Sequence, residues 1–513
     1  MNIWANLFSL MLNTLVYSFM NIFFWIVVLI VLIQYRRTLN IEKKLFGCAL
    51  NNLWAETFTS VFCGILGGFF ASFLLLFLGI SFESIGITYL WPVAIVLFLI
   101  HPRFLCFAYA GGIIAVIALI LRGLLVLNPG LGEFRHLVQL SGIHIPSLLA
   151  LVGVLHLTES LLIYFSGHRG VSPIYIKNTA GEIVGGYSLQ RFWPLPLLGL
   201  WASVMAEDSQ TLHSAINMPD WWPILGTAMS PGANEMIIYF MLPIVAGLGY
   251  GDMAVSSKPE VKRIKTAQNL AVYSVVLSGA AVAAAFVPLV TLPAALLAPL
   301  GHELIIRKGN EEEFSKPPIF CGEDAAGLQI MAVFPGTAAE KAGLQRGDIL
   351  LEINNTQISS AIDCAYILRH NKYLTIKIER NGMIMELPRL ENPLENPQIG
   401  ENTQMSGEGD PQTPTDPQAA ENSQMPENIH APTDSQAAGY TQAAENTHTP
   451  ENMLGASNDT DYAPDQTQQR EYFHPRESAR FMTRFGLIIV PDKYTGVYLE
   501  FNKSSLWDKI KKR

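Results

Sequence analysis

Charged residues, cysteines and catalytic signatures are all scarce in this sequence. Asp, Glu, Lys and Arg make up 15% of the 513 residues against 50% hydrophobic ones, and the apolar residues crowd into roughly the first three hundred positions. The net charge of −9 argues against a general nucleic-acid binder. The five cysteines (Cys48, Cys63, Cys106, Cys321, Cys364) have no CxxC spacing, which predicts neither a zinc site nor a disulfide framework. The N-terminus lacks a basic n-region and its apolar stretch is long enough to span, so no cleavable signal peptide is expected. The nearest approach to the zinc-protease pattern HExxH is His302-Glu303-Leu304-Ile305-Ile306, where isoleucine stands in place of the second ligand. A polar pair near the membrane surface is the better reading of His302 and Glu303. Serine-protease segments of the GNSGG and GxSG kinds are absent, as are Gly-rich phosphate loops. The sequence therefore points to no enzyme, no cofactor, no metal and no small-molecule substrate.

What is present is apolar sequence in spanning lengths. Leu15–Gln34 reads as a first span, followed at once by Arg36, Arg37, Lys43 and Lys44. Thr57–Ile80 is a second, with Gly64, Gly67 and Gly68 available for close helix packing. Ile85–Ile100 and Phe104–Leu127 are joined by His101-Pro102-Arg103, and Ile145–Phe165 is a fifth. Leu195–Ala206 is short and proline-flanked. Met236–Tyr250 comes after the re-entrant-looking Asp220-Trp221-Trp222-Pro223. Ala267–Leu300 holds Pro288, Pro293 and Pro299 and is too long for one straight span, so it reads as a hairpin of two. Residues 1–306 thus form an α-helical polytopic membrane domain of about eight or nine spans in the lipid bilayer. Basic residues at Arg103, Arg169, Lys177, Arg191, Lys258, Lys262, Arg263 and Lys265 set those loops in the cytoplasm, together with the chain beyond the hairpin. The inner loop Ser172–Trp193 reads as two short strands around Thr179–Glu182.

Inside the fifth span, His156 and Glu159 stand one turn apart. Ionisable groups in a bilayer are costly and point to function by default. A proton relay and half a metal site are open readings. A mutually hydrogen-bonded pair that fixes helix packing is preferred, because no second cluster supplies further ligands.

Residues 318–390 change character. Leu328–Phe334 reads as a strand stopped by Pro335-Gly336, and Thr337 with Glu340 has capping-box spacing for a short helix closed by Gly343. Asp348–Ile353 is a strand turned by Asn354-Asn355. Ser360 caps a helix running to Asn371, and Tyr373–Arg380 pairs with Met383–Leu387 around Asn381-Gly382. This order, centred on PGTAAEKAGLQRGD, resembles a PDZ domain of the bacterial, circularly permuted type, a small α+β fold. The resemblance implies peptide capture by strand addition. It puts the receiving edge on Leu328–Val333, including Gln329 and Ile330, and the carboxylate-facing amides at Ala326, Gly327 and Leu328. Ile362, Tyr366 and Arg369 would form the facing helix wall, where Trp in place of Ala365 would fill the groove.

Residues 391–469 are rich in Pro, Gln, Asn, Thr and Glu, and QAAENSQMPEN recurs as QAAENTHTPEN. Such sequence cannot bury a core and reads as a disordered linker. The tail, 470–513, has strand-like runs FGLIIV and GVYLEF and a basic end. Pairing with a sheet edge, binding a partner and touching anionic lipid are its three open roles.

HPRFLCFAYAGG at His101–Gly112, VGGYSLQRFWPLPL at Val184–Leu197 and MPDWW at Met218–Trp222, followed by the PDZ-like region, together resemble the MinJ-type division-site proteins. That resemblance covers roughly Met1 to Leu390. It implies a non-enzymatic membrane scaffold, enriched at septum or poles, that links DivIVA-like and MinD-like division proteins. A membrane-embedded enzyme or transporter with a regulatory PDZ module, and an adaptor for a membrane protease, are the alternatives.

Overall fold

The computed structural model describes residues 3–100, 104, 106–177, 181–206, 215–227, 229–320, 327–394 and 481–491. The chain divides into two compact units, one running to Cys321 and one starting at Gly322 that also includes residues 481–491. The expected linker falls outside the described residues from 395 onward. The tail run GVYLEF, the His101–Arg103 connection and Thr179-Ala180 of the Thr179–Glu182 turn also fall outside them.

The first unit contains helices α1 (Ile3–Met20), α2 (Ile22–Phe46), α3 (Leu53–Leu78), α4 (Ile87–Ile100), α5 (Phe107–Leu127), α6 (Arg135–Ser141) and α7 (Ile145–Ser166). Strands β1 (Ser172–Lys177), β2 (Ile183–Ala206) and β3 (Glu235–Ala254) come next, then helices α8 (Pro259–Phe286) and α9 (Thr291–Phe314). Helices α2, α3, α5, α7, α8 and α9 are long and apolar enough to cross a membrane; α1 and α4 are shorter apolar helices. The expected first span, Leu15–Gln34, is broken at Asn21. That residue is extended (φ −75°, ψ 122°) and accepts the amide of Phe23 at 3.0 Å, so it starts a new helix. The apolar stretch Ala267–Leu300 is divided between two helices, α8 and α9, separated at Val287–Val290.

Two expected spans are corrected. Leu195–Ala206 and Met236–Tyr250 are not helices but parts of β2 and β3, which pair antiparallel from Tyr187↔Ala254 to Ala206↔Glu235, a ladder of roughly 60 Å. Apolar runs of that length look alike as buried strand and buried helix. Pro194, Pro196 and Pro243 tip the balance, since proline breaks helix interiors and survives where no ladder donor is needed.

The second edge of β2 lies along α3, and its backbone is satisfied one group at a time. The amide of Phe192 donates to Tyr35 Oη (3.3 Å), that of Leu198 to Ser72 Oγ (2.9 Å) and that of Ala202 to Ser81 Oγ (3.0 Å). The carbonyl of Leu200 accepts from Phe82 N at 2.8 Å. Pro194 and Pro196 have no N–H to satisfy, and their carbonyls lie against Gly64 and Gly68, where any Cβ would overlap them. Non-helical backbone beside a spanning helix persists only when its polar groups are paired in this way. Buried Arg191 of β2 forms an ion pair with Glu56 of α3. The Asp220–Pro223 segment is not re-entrant helix but, with Leu225 after it, closes over the end of α3: Trp222 Nε1 donates to Leu76 O (2.8 Å), which also accepts Gly79 N (3.1 Å), and Leu225 N donates to Leu78 O (3.0 Å).

Helix α7 is central, with 72% of its apolar window buried against 39% or less in the other five. At one end of α8, Lys262 lies between Asp252 (3.4 Å) and Glu313 (3.7 Å). Glu313 in turn accepts the amides of Val255, Ser256 and Ser257 at 2.7–2.9 Å. This network fixes the end of β3 and the entry to α8 against the end of α9.

The second unit contains β4 (Leu328–Val333), α10 (Ala338–Lys341), β5 (Ile349–Ile353), β6 (Thr356–Gln357), α11 (Ala361–His370), β7 (Tyr373–Leu374), β8 (Ile376–Arg380), β9 (Met383–Glu386), β10 (Leu390–Glu391) and β11 (Leu487–Ile489). The main sheet runs β11-β4-β5-β8-β9, with β6 beside β5. Asn354, Asn355, Asn381 and Gly382 all take positive φ, as tight turns between antiparallel strands require. Ser360 caps α11 by accepting the Asp363 amide (3.1 Å). Thr337 stands at the start of α10, but its hydroxyl donates back to Phe334 O (2.6 Å) while Glu340 accepts from Gly336 N (2.6 Å), so the expected capping box does not close.

Candidate functional site

Within the first unit, three residues far apart in sequence converge. Cys106 precedes α5, His156 is midway along α7, and His302 lies in α9 past the internal Pro299. Small residues allow the approach. A Cβ on Gly112 would overlap the ring of Pro299, one on Gly111 would press on Val152, and Gly301 lies against the Tyr273 ring. Cys106 Sγ is 3.0 Å from His156 Nε2 and 3.7 Å from His302 Nε2, and all three residues are buried. Tyr273 packs edge-on to both imidazoles with centroids 5.7 and 5.8 Å away, and its hydroxyl donates to Ala298 O.

This geometry corrects two expectations. His156 does not pair with Glu159: its Nδ1 lies 2.7 Å from Val152 O and its Nε2 faces the Cys106 thiol, so both ring nitrogens are engaged. Further ligand-type side chains are indeed at hand, since Cys106, His156 and His302 hold donor atoms within 4.8 Å of one another. His302 and Glu303 also part company, because Glu303 accepts from Tyr109 Oη (2.7 Å) and lies 3.7 Å from Arg307 Nε. Separations of 50 and 196 residues between Cys106 and its partners leave no spacing motif to read.

In the second unit, Leu328 and Ile330 are core residues at 4% and 0% exposure. Gly327 allows the close approach of its backbone to Leu350 O, which any Cβ there would overlap. Ala326 lies outside the described residues. The expected receiving edge is already taken. Strand β4 pairs with β5 on one side and with β11 on the other, through Leu487↔Val333, Ile488↔Ala332 and Ile489↔Ile330. Phe334 N donates to Gly486 O and Val490 N to Gln329 O, both at 2.9 Å.

Side-chain packing accompanies that pairing. Met482, Phe485, Leu487 and Ile489 are 1–7% exposed and share one core with Cys364, Ala365, Ile367 and Leu368 of α11. Among the described residues it is β11 that ends the sheet on this side. The receiving edge expected on Leu328–Val333 is corrected accordingly. Ile362 and Tyr366 on α11 are partly exposed and Arg369 is exposed, whereas Ala365 is fully buried, so Trp there would overpack the core rather than fill a groove. Burial also pushes the Cys364 thiol well up from its ordinary range.

Asp348 anchors the same unit. Only 1% of its side chain is exposed, and it binds Arg380 through two 2.7 Å hydrogen bonds while accepting the Gln345 amide at 2.8 Å. Those bonds hold the guanidinium above its ordinary pKa.

Comparison with known proteins agrees with both units. Residues 329–380 match the PDZ domain family. The chain is 25% identical over 373 residues, 72% of its own length and 88% of the relative's, to the cell division topological determinant MinJ of Bacillus subtilis (strain 168). A stretch that long fits inside neither unit alone. The chain thus carries a PDZ domain at residues 329–380 and is similar to MinJ over most of its length.

Proposed function

We propose that this chain is a non-enzymatic membrane scaffold that helps mark the site of cell division, with its PDZ unit recruiting a partner protein by strand addition. One observation carries the reading: similarity to a division topological determinant that runs through the apolar helical region and into the PDZ domain. The basic loops favour a multi-pass arrangement with the PDZ unit in the cytoplasm, where DivIVA-like or MinD-like proteins are the partners to test. Peptide capture is assigned to the PDZ unit, with Ile362, Tyr366 and Arg369 of α11 supplying side-chain contacts. Strand addition to a sheet edge gains several backbone hydrogen bonds of about 0.5–1.5 kcal/mol each.

The test is imaging of a full-length fluorescent fusion in dividing cells of the native host. Bands at septa or poles are expected, and they should fade when Ile362, Tyr366 and Arg369 are all replaced by Ala. Uniform membrane signal from the unmodified chain would refute the division-site reading. Focal signal that survives the triple replacement would refute recruitment through this surface.

A further inference from the structure

We propose that Cys106, His156 and His302 bind a divalent transition metal of the zinc class in the helical unit, tying α5, α7 and α9 together. The donor set is the first ground. One thiolate and two imidazoles are ligands that such ions favour, and three protein donors with one further position open is a recurrent zinc arrangement. The distances fit as well. A tetrahedral ion with Zn–S of about 2.3 Å and Zn–N of about 2.0–2.1 Å needs S···N separations of about 3.6 Å. The observed 3.0 and 3.7 Å bracket that value, so only a small outward shift of one imidazole is required.

The surroundings prepare each ligand. A carbonyl can only accept, so the bond from His156 Nδ1 to Val152 O puts the ring proton on Nδ1 and leaves the Nε2 lone pair facing the site. A fixed outer bond of this kind is how metal-ligating histidines are oriented. Cys106 is the N-cap of α5, where its sulfur accepts the Ala108 amide at 3.4 Å and is held toward both imidazoles. Metal binding would release that thiol's proton. Glu159 lies one turn along α7 from His156, on the same helix face. Tyr273 and Tyr109 pack against the imidazoles and restrict water. A hydrogen-bonded thiol–imidazole cluster that holds no ion is the competing account.

The experiment uses the full chain purified in detergent, stripped with chelator, reloaded with zinc or cobalt and desalted. About one metal per chain is expected, and the cobalt form should show a thiolate-to-metal charge-transfer band. Cys106→Ser, His156→Gln and His302→Gln should each lower retained metal about tenfold or more, while Glu303→Gln leaves it unchanged. A readout on the unmodified chain guards against variants that fail to fold. Alkylation of the Cys106 peptide, followed by mass spectrometry, should be at least about tenfold slower in the loaded form than in the stripped form. Less than about a tenth of an equivalent of metal after reloading, or equal alkylation in both forms, would overturn the proposal. Metal retained in full by a folded Cys106→Ser variant would do so too.

Discussion

Each unit of this protein contains a strand that needs its second edge closed, and the two solve the problem differently. In the helical unit, the edge of β2 is met by individual side chains, with Tyr35, Ser72 and Ser81 accepting amides and two prolines removing donors. In the PDZ unit, the edge of β4 is met by a whole strand, β11, from beyond the low-complexity stretch. The difference arises from the partners at hand. A spanning helix has its own backbone bonds fully used and can lend only hydroxyls and glycine clearance. A free segment can lend a ladder, along with the apolar side chains that ride on it. The first solution is local and fixed to the residue; the second depends on one distant segment.

That contrast predicts where each unit breaks. Deleting residues 481–491 removes four core side chains at once and should cost the PDZ unit at least about 5 kcal/mol, enough to unfold it, as read by circular dichroism of the soluble region. Gly68→Val should come second, at about 3 kcal/mol, because the new side chain meets the Pro196 carbonyl. The check is thermal unfolding in detergent beside Gly279→Ala, whose Cβ meets open space. Asp348→Ala leaves Arg380 without its bidentate partner. It should lower urea stability of the PDZ unit by about 2 kcal/mol, less than for a fully buried pair because 22% of the arginine side chain reaches solvent. Ser72→Ala should be mildest, about 1–2 kcal/mol, since a single amide of β2 loses its acceptor. If Ser72→Ala matched the deletion in effect, closure of β2 would be cooperative rather than residue by residue.

The PDZ unit was the more legible of the two because its signals are local. Asn381-Gly382, Asn354-Asn355 and Ser360 each act within a few residues, and each turn or cap formed where the spacing predicts. The break at Asn21 was equally local yet hidden, since one Asn inside an apolar run reads as a tolerated polar residue. Strands β2 and β3 were missed because their apolar stretches carry no period that separates buried strand from helix. The FGLIIV run reads as a strand with a sheet edge among its open roles, and β11 on β4 is that pairing; which edge it meets, like Cys106 beside two histidines, leaves no trace in spacing. Both depend on contacts between residues that only the folded chain brings together.

The central structural claim, that the distant strand β11 completes the PDZ sheet, is tested most directly by amide hydrogen exchange across residues 328–334. The full chain is to be compared with one ending at residue 480. Strong protection in the full chain is expected, with the Phe334 amide, which donates to Gly486 O, exchanging at least about a hundredfold faster after truncation. Equal protection in both chains would contradict it and return the receiving edge to β4.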